Sequence, residues 1–132
     1  MRKLKDLLET QSIGESRLAK YWEVEPGIFY ADSKTTDRTV ETIAENVALV
    51  KSLNHHKPVK LIIQISKSKV PDKATRAFAA KELPLTYSAI AMITSNKLAG
   101  FIINLIDGLK KPPIPIKSFS TFEEAYKRIA KM

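Results

Sequence analysis

Cysteine is absent from the 132 residues. That removes a disulfide framework, a thiolate metal site and a thiol nucleophile at one stroke, and it agrees with a reducing compartment. Glycine is scarce, with four residues and no glycine-rich loop, which speaks against a phosphate cradle of the P-loop or dinucleotide kind. Long apolar runs are also missing. The longest fall far short of a membrane span, and "MRKLKDLLETQS" has a basic start without the apolar stretch of a signal peptide. A cytoplasmic protein with no transmembrane segment is expected.

What is present describes an ordinary globular chain, 44% hydrophobic and 27% charged, long enough for one cored domain. A single domain over 1–132 is expected, with 1–15 an N-terminal extension carrying a short helix around Leu4, Leu7 and Leu8. The net charge of +8 raises nucleic acid or anionic lipid as partners. The lysines, however, run from Lys3 to Lys131 without an aromatic-interleaved basic stretch, as on a solvated surface. No specific nucleic-acid binding is expected.

Apolar periodicity then sets the elements. "SRLAKYWEV" alternates as a half-buried strand, "EPG" is a turn and "GIFYADSK" completes a hairpin. Residues 35–54 place Val40, Ile43, Ala44, Val47, Val50 and Leu53 at helical spacing, with Thr36 or Asp37 as N-cap. "KLIIQIS" is a strand, followed by a helix in "DKATRAFAAKEL" that Asp72 caps. "YSAIAMIT" is a strand apolar on both faces. "SNKLAGFIINLIDGL" is a helix capped by Ser95 and ended by Gly108. "IPIKSF", with Pro112, Pro113 and Pro115 around it, suits only a sheet edge. A Ser120–Glu123 capping box opens the last helix. Strands alternating with helices imply parallel pairing with right-handed crossovers.

Three stretches, "KYWEVEPGIFYADSK", "KLIIQIS" with its polar turn and helix, and "IPIKSFSTFEEAYKRI", resemble the SpoIIAA-like family of STAS and Sec14-like domains over residues 16–131. Small bacterial members of that superfamily are a close match. The resemblance implies an α/β fold with a five-stranded mixed sheet, an opening β-hairpin, then repeating βα units with helices mainly on one face. It also implies a non-enzymatic protein-interaction domain with a regulatory role, or else a carrier or sensor of a small apolar or anionic ligand. In the family's anti-sigma-factor antagonists the turn after the strand ends in Asp-Ser-Ser-Gly, whose first serine is phosphorylated. Here Asp72 keeps the aspartate, but Lys73 stands at the phosphoserine and Ala74 and Thr75 follow. That switch is absent.

In a parallel sheet the carboxyl ends of the strands share a rim with the N-termini of the following helices. Ser66, Lys67, Ser68, Lys69, Asp72, Lys73, Ser95, Asn96 and Lys97 are expected there, beside Thr35 and Thr36, as an interaction or anion-binding surface. Ser66 and Ser68 also serve simply as turn hydroxyls or, beside lysines, as phosphoacceptors. His55 and His56 complement a helix C-terminus rather than hold a metal. No catalytic constellation, metal cluster or cofactor motif can be assembled. Helices on one face would leave the other nearly bare, since Leu4, Leu7 and Leu8 cover little of it, and a homodimer is expected to bury the remainder.

Overall fold

Pro26 and Gly27 close the first two long strands. Proline sets φ at the first turn position and Gly27 takes φ +85° at the second, the pattern of a type II turn. A register shift between Glu23 and Glu25 lets the flanking strands keep pairing around it. The computed structural model describes residues 3–65, 71–94 and 114–132. The elements in chain order are α1 (Leu4–Leu8), β1 (Gly14–Glu15), β2 (Ala19–Glu25), β3 (Ile28–Ser33), α2 (Val40–Leu53), β4 (Val59–Gln64), α3 (Lys73–Thr86), β5 (Tyr87–Ile93), β6 (Ile116–Phe119) and α4 (Phe122–Ile129).

The sheet is mixed, in the order β1-β2-β3-β4-β5-β6. β2 is antiparallel to both neighbours and every other pairing is parallel. The α/β class, the hairpin, the adjacency of β4 and β5 and the edge position of β6 therefore match expectation. Two features do not. The sheet has six strands rather than five, because Gly14–Glu15 adds a short strand to β2. No apolar alternation announces two residues, and the approach depends on a missing side chain. A Cβ on Gly14 would sit 3.1 Å from Leu53 and 3.2 Å from Leu49 of α2.

The second concerns the opposite face: the described crossover helices share one side as expected, but the other is not left to the N-terminal helix alone. α2 and α3 cover one, packing Leu49, Leu53 and Leu83 against Tyr21, Phe29, Ala31, Leu61 and Ile90. α1 and α4 cover the other, where Leu7, Phe122, Ala125 and Ile129 meet Trp22, Tyr30, Ile62, Ala89 and Ala91. Handedness constrains only helices that cross between parallel strands. α4 follows the edge strand as the last element and is free to fold back over the opposite side. The fully buried Ala89 and Ala91 let it sit close. The argument for a homodimer began from a bare face, and that ground is removed.

Local chemistry shifts several boundaries. α2 is capped by Thr39 rather than Thr36 or Asp37, in a reciprocal box: Thr42 N donates to Thr39 Oγ1 at 3.1 Å and Thr39 N to Thr42 Oγ1 at 2.8 Å. α4 is capped by Thr121, which accepts from Glu124 N at 3.2 Å. This lies one residue past the expected Ser120–Glu123 pair and buries Phe122, Ala125 and Ile129 together. α3 runs through Pro84 to Thr86, three residues past its expected end, and passes without a loop into β5. Near its end proline sacrifices only one helical bond, while Thr86 Oγ1 donates to Glu82 O and Tyr87 N to Leu83 O. His55 and His56 reverse the chain after α2 in the left-handed region, at φ 54° and 62°, a backbone role that charge complementarity alone did not foresee. The predicted helix between Ser95 and Gly108 lies outside the described residues.

Phe122 is the anchor of α4, 3% exposed and edge-on to Tyr30 at a ring separation of 5.7 Å. Phe122→Ala is expected to destabilise the fold by about 3–5 kcal/mol in chemical denaturation. Leu85→Ala, at a site 54% exposed, should change it by less than about 0.5 kcal/mol.

Candidate functional site

Between α2 and α3, over the sheet face they share, lies a cleft of about 470 Å³. Its existence follows from sequence. α3 turns Ala77, Ala79 and Ala80 to the cleft, where longer side chains would fill it. The two helices are held by Leu49, Leu53 and Leu83 against the sheet and by a Lys51–Glu82 ion pair at 3.4 Å. Apolar walls come from Ile43, Val47, Leu61, Ile63 and Leu83.

Polar side chains gather at its floor. Asn46 of α2 lies on the same helical face as Ile43 and Val50, and its Oδ1 accepts from Tyr21 OH at 2.7 Å and Ser16 Oγ at 2.8 Å. Ser16 Oγ accepts in turn from Leu18 N and Ala19 N at 3.1 and 3.2 Å, which fixes the segment entering β2. The Tyr87 hydroxyl interacts with both Tyr21 and Asn46. Ala31, between Tyr21 on β2 and Ile63 on β4, leaves room for these rings to converge. Burial drives the Tyr21 phenol well above its ordinary pKa and raises Tyr87 as well, so both are neutral hydroxyls at physiological pH.

Cations line the cleft where β3 and β4 end. Arg38, just after β3, donates from Nη2 to Ser33 Oγ at 3.0 Å. Burial lowers its pKa, while the nearby Tyr21 and Tyr87 oxygens oppose that effect. Lys73 and Arg76 stand one turn apart on α3. Arg76 Nε is buried and has no hydrogen-bond partner among the described residues. Glu82 is the acid lining the cleft, and it is the carboxylate that pairs with Lys51.

Of the rim residues expected from sequence, the structure describes Thr35, Thr36, Asp72 and Lys73. Asp72 caps α3, accepting from Thr75 N at 2.8 Å, and this bond holds its carboxyl below the ordinary range. Lys73 is the first helical residue, exposed, and lines the cleft. Thr35 and Thr36 are exposed in the connection after β3. Ser66, Lys67, Ser68, Lys69, Ser95, Asn96 and Lys97 lie outside the described residues. Among the described residues no group of His, Asp and Glu is arranged to hold a metal ion, and no helix is long and apolar enough to cross a membrane.

Sequence reasoning missed Tyr21, Arg38, Asn46, Arg76 and Tyr87 as site residues. One signal was available: an asparagine three residues after Ile43 and four before Val50 interrupts the apolar face of α2, and a buried amide demands partners. The fold and cleft thus define an α/β domain with a mixed six-stranded sheet and a lined cavity beneath two crossover helices. The chain belongs to the family described as Domain of unknown function (DUF7793), which matches residues 21–131. No curated protein matches it.

The tyrosines make a pH prediction. Burial, followed by the Asp32 carboxylate, pushes Tyr30 up to about 12, and Tyr21 and Tyr87 are raised by burial too. A phenol in the unfolded chain ionises near pH 10, so ionisation favours unfolding. Their contribution to stability is whole below about pH 10 and is lost as pH rises beyond it, for Tyr30 through about 12. Three of the four tyrosines are expected to ionise only as the chain unfolds. Tyrosinate absorbance of more than one tyrosine appearing near pH 10 ahead of the loss of ellipticity would contradict this.

Proposed function

We propose that this protein is a non-enzymatic binding domain, a carrier or sensor that holds a small amphipathic ligand in the cleft between α2 and α3. The observation that carries the reading is the cleft itself. Its volume of about 470 Å³ falls in the range of roughly 300–1,000 Å³ typical of small-molecule sites, and apolar walls surround a few convergent polar groups. The chemistry favours binding over catalysis. Its hydroxyls are tyrosines held neutral, its cations are arginines and a lysine, and the polar floor is satisfied by internal hydrogen bonds. The carrier or sensor role implied by the resemblance to Sec14-like domains agrees with this.

A ligand that binds only the folded chain stabilises it by about 2.7 kcal/mol at roughly 100 times Kd. For a domain of this size that corresponds to a Tm increase of about 10 °C. Native mass spectrometry of protein taken from its own cell is expected to show a dissociable small molecule, and thermal shift against single-chain amphiphiles should show stabilisation of this order. If no amphiphile raises Tm and no small molecule accompanies the protein, the reading fails.

A second reading, an STAS-like protein-interaction domain with a regulatory role, is favoured by one observation. α3 begins at Lys73 directly after the Asp72 cap, so the residue at the resembled family's phosphoserine position is an exposed first-turn side chain. A cation there opposes the helix dipole by a few tenths to about 1 kcal/mol. Lys73→Glu is therefore expected to raise stability slightly and to abolish capture of a protein partner. Capture retained by the stable variant would leave that surface without this role.

A further inference from the structure

The polar ends of the cleft differ in what they still have to give. Asn46, Tyr21 and Ser16 satisfy one another. Arg76 instead keeps its Nε buried with no partner among the described residues. A buried guanidinium N–H without an acceptor is costly, and the ordinary resolution is a bound acceptor. Nε with an adjacent Nη forms a two-pronged edge that matches a planar carboxylate. Lys73, one turn earlier, and Arg38 across the cleft add positive charge, and the Asp72 carboxylate lies near enough to Arg76 to interact with it without accepting from Nε. At about 30 Å³ per small group, the space holds roughly 15 non-hydrogen atoms, and its walls beyond the cations are Leu83, Ile63, Leu61 and three alanines.

Resting on the proposed ligand-binding role, we infer that the occupant is a medium-chain alkyl carboxylate, its head on Arg76 and its chain along the apolar wall. An unbranched chain of about a dozen carbons with a carboxylate matches the estimated room. An alkylammonium is excluded by charge.

The test compares dodecanoate with dodecanol, a neutral probe of the same chain, by calorimetric titration of the full chain below micellar concentrations. Dodecanoate is expected to bind about 10–100-fold more tightly, the difference made by a charge-assisted hydrogen bond at a buried site. In Arg76→Met the preference should vanish while dodecanol binding stays, and Tm of the ligand-free protein should hold or rise because an orphaned donor has gone. Arg76→Lys, with charge but no fork, should retain only part of the preference. Equal binding of the two probes to the wild-type chain overturns the carboxylate assignment and leaves the cleft a general apolar site. A preference that survives in Arg76→Met overturns the placement of the head. Binding of neither probe overturns this inference, while the ligand-binding role stands or falls on the native mass spectrometry and the thermal shift against other amphiphiles.

Discussion

Right-handed crossover between parallel strands is the constraint from which the rest of this molecule follows. β3, β4 and β5 run side by side in one direction, so the two helices linking them must lie on the same face. Two helices over three strands meet along a seam. Whether that seam closes into core or opens as a cavity depends on what the facing turns carry. On α2 they carry Ile43, Asn46 and Val47; on α3, Arg76, Ala77 and Ala80. Alanine where leucine would pack is why a cavity remains.

The opposite face shows the contrasting solution. There α4 faces Ala89 and Ala91 of β5 with its own Ala125, and the aromatic run Trp22, Tyr30, Phe122 and Tyr126 fills the sides, with ring separations of 5.7–6.0 Å. Small residues meeting across an interface bring elements together, whereas small residues on one side only leave space. Lys60 Nζ also reaches the Ala130 carbonyl at 2.9 Å, placing a cation on the negative end of α4. Each face keeps its own packed core, and the cleft opens beside that of α2 and α3.

This distribution explains what could be read from sequence. Strands β4 and β5 and the Asp72 cap were legible because each is written in contiguous residues: an apolar run, or an aspartate three residues before the N–H it accepts. The placement of α4 was not, since an amphipathic helix after an edge strand satisfies its pattern on either face, and only Ala89 and Ala91 make one side closer. β1 depends on a side chain that Gly14 lacks. The run through Pro84 depends on how little a proline disturbs a helix that is about to end. The cleft was least legible of all, because its residues come from β2, the connection after β3, α2, α3 and the start of β5. They become neighbours only once the crossovers are made.

Charge adds the last step. Glu15, Glu41 and Glu45 are drawn to Lys34 and Arg17 beside β1 and α2, and Glu82 is drawn to Lys51. The exposed pairs among these contribute little to stability, and Asp32, Asp37 and Asp72 stay near the ends of β3 and β4 in a chain of net charge +8. At those ends Lys73 opposes the dipole of α3 and Arg76 buries a donor with no acceptor among the described residues. Each breaks a local rule of stability, and they do so one turn apart. Local preferences tend to be overridden where a fold is shaped by something besides its own stability. An anion held at the start of α3 would reverse both penalties together, satisfying the donor and compensating the charge.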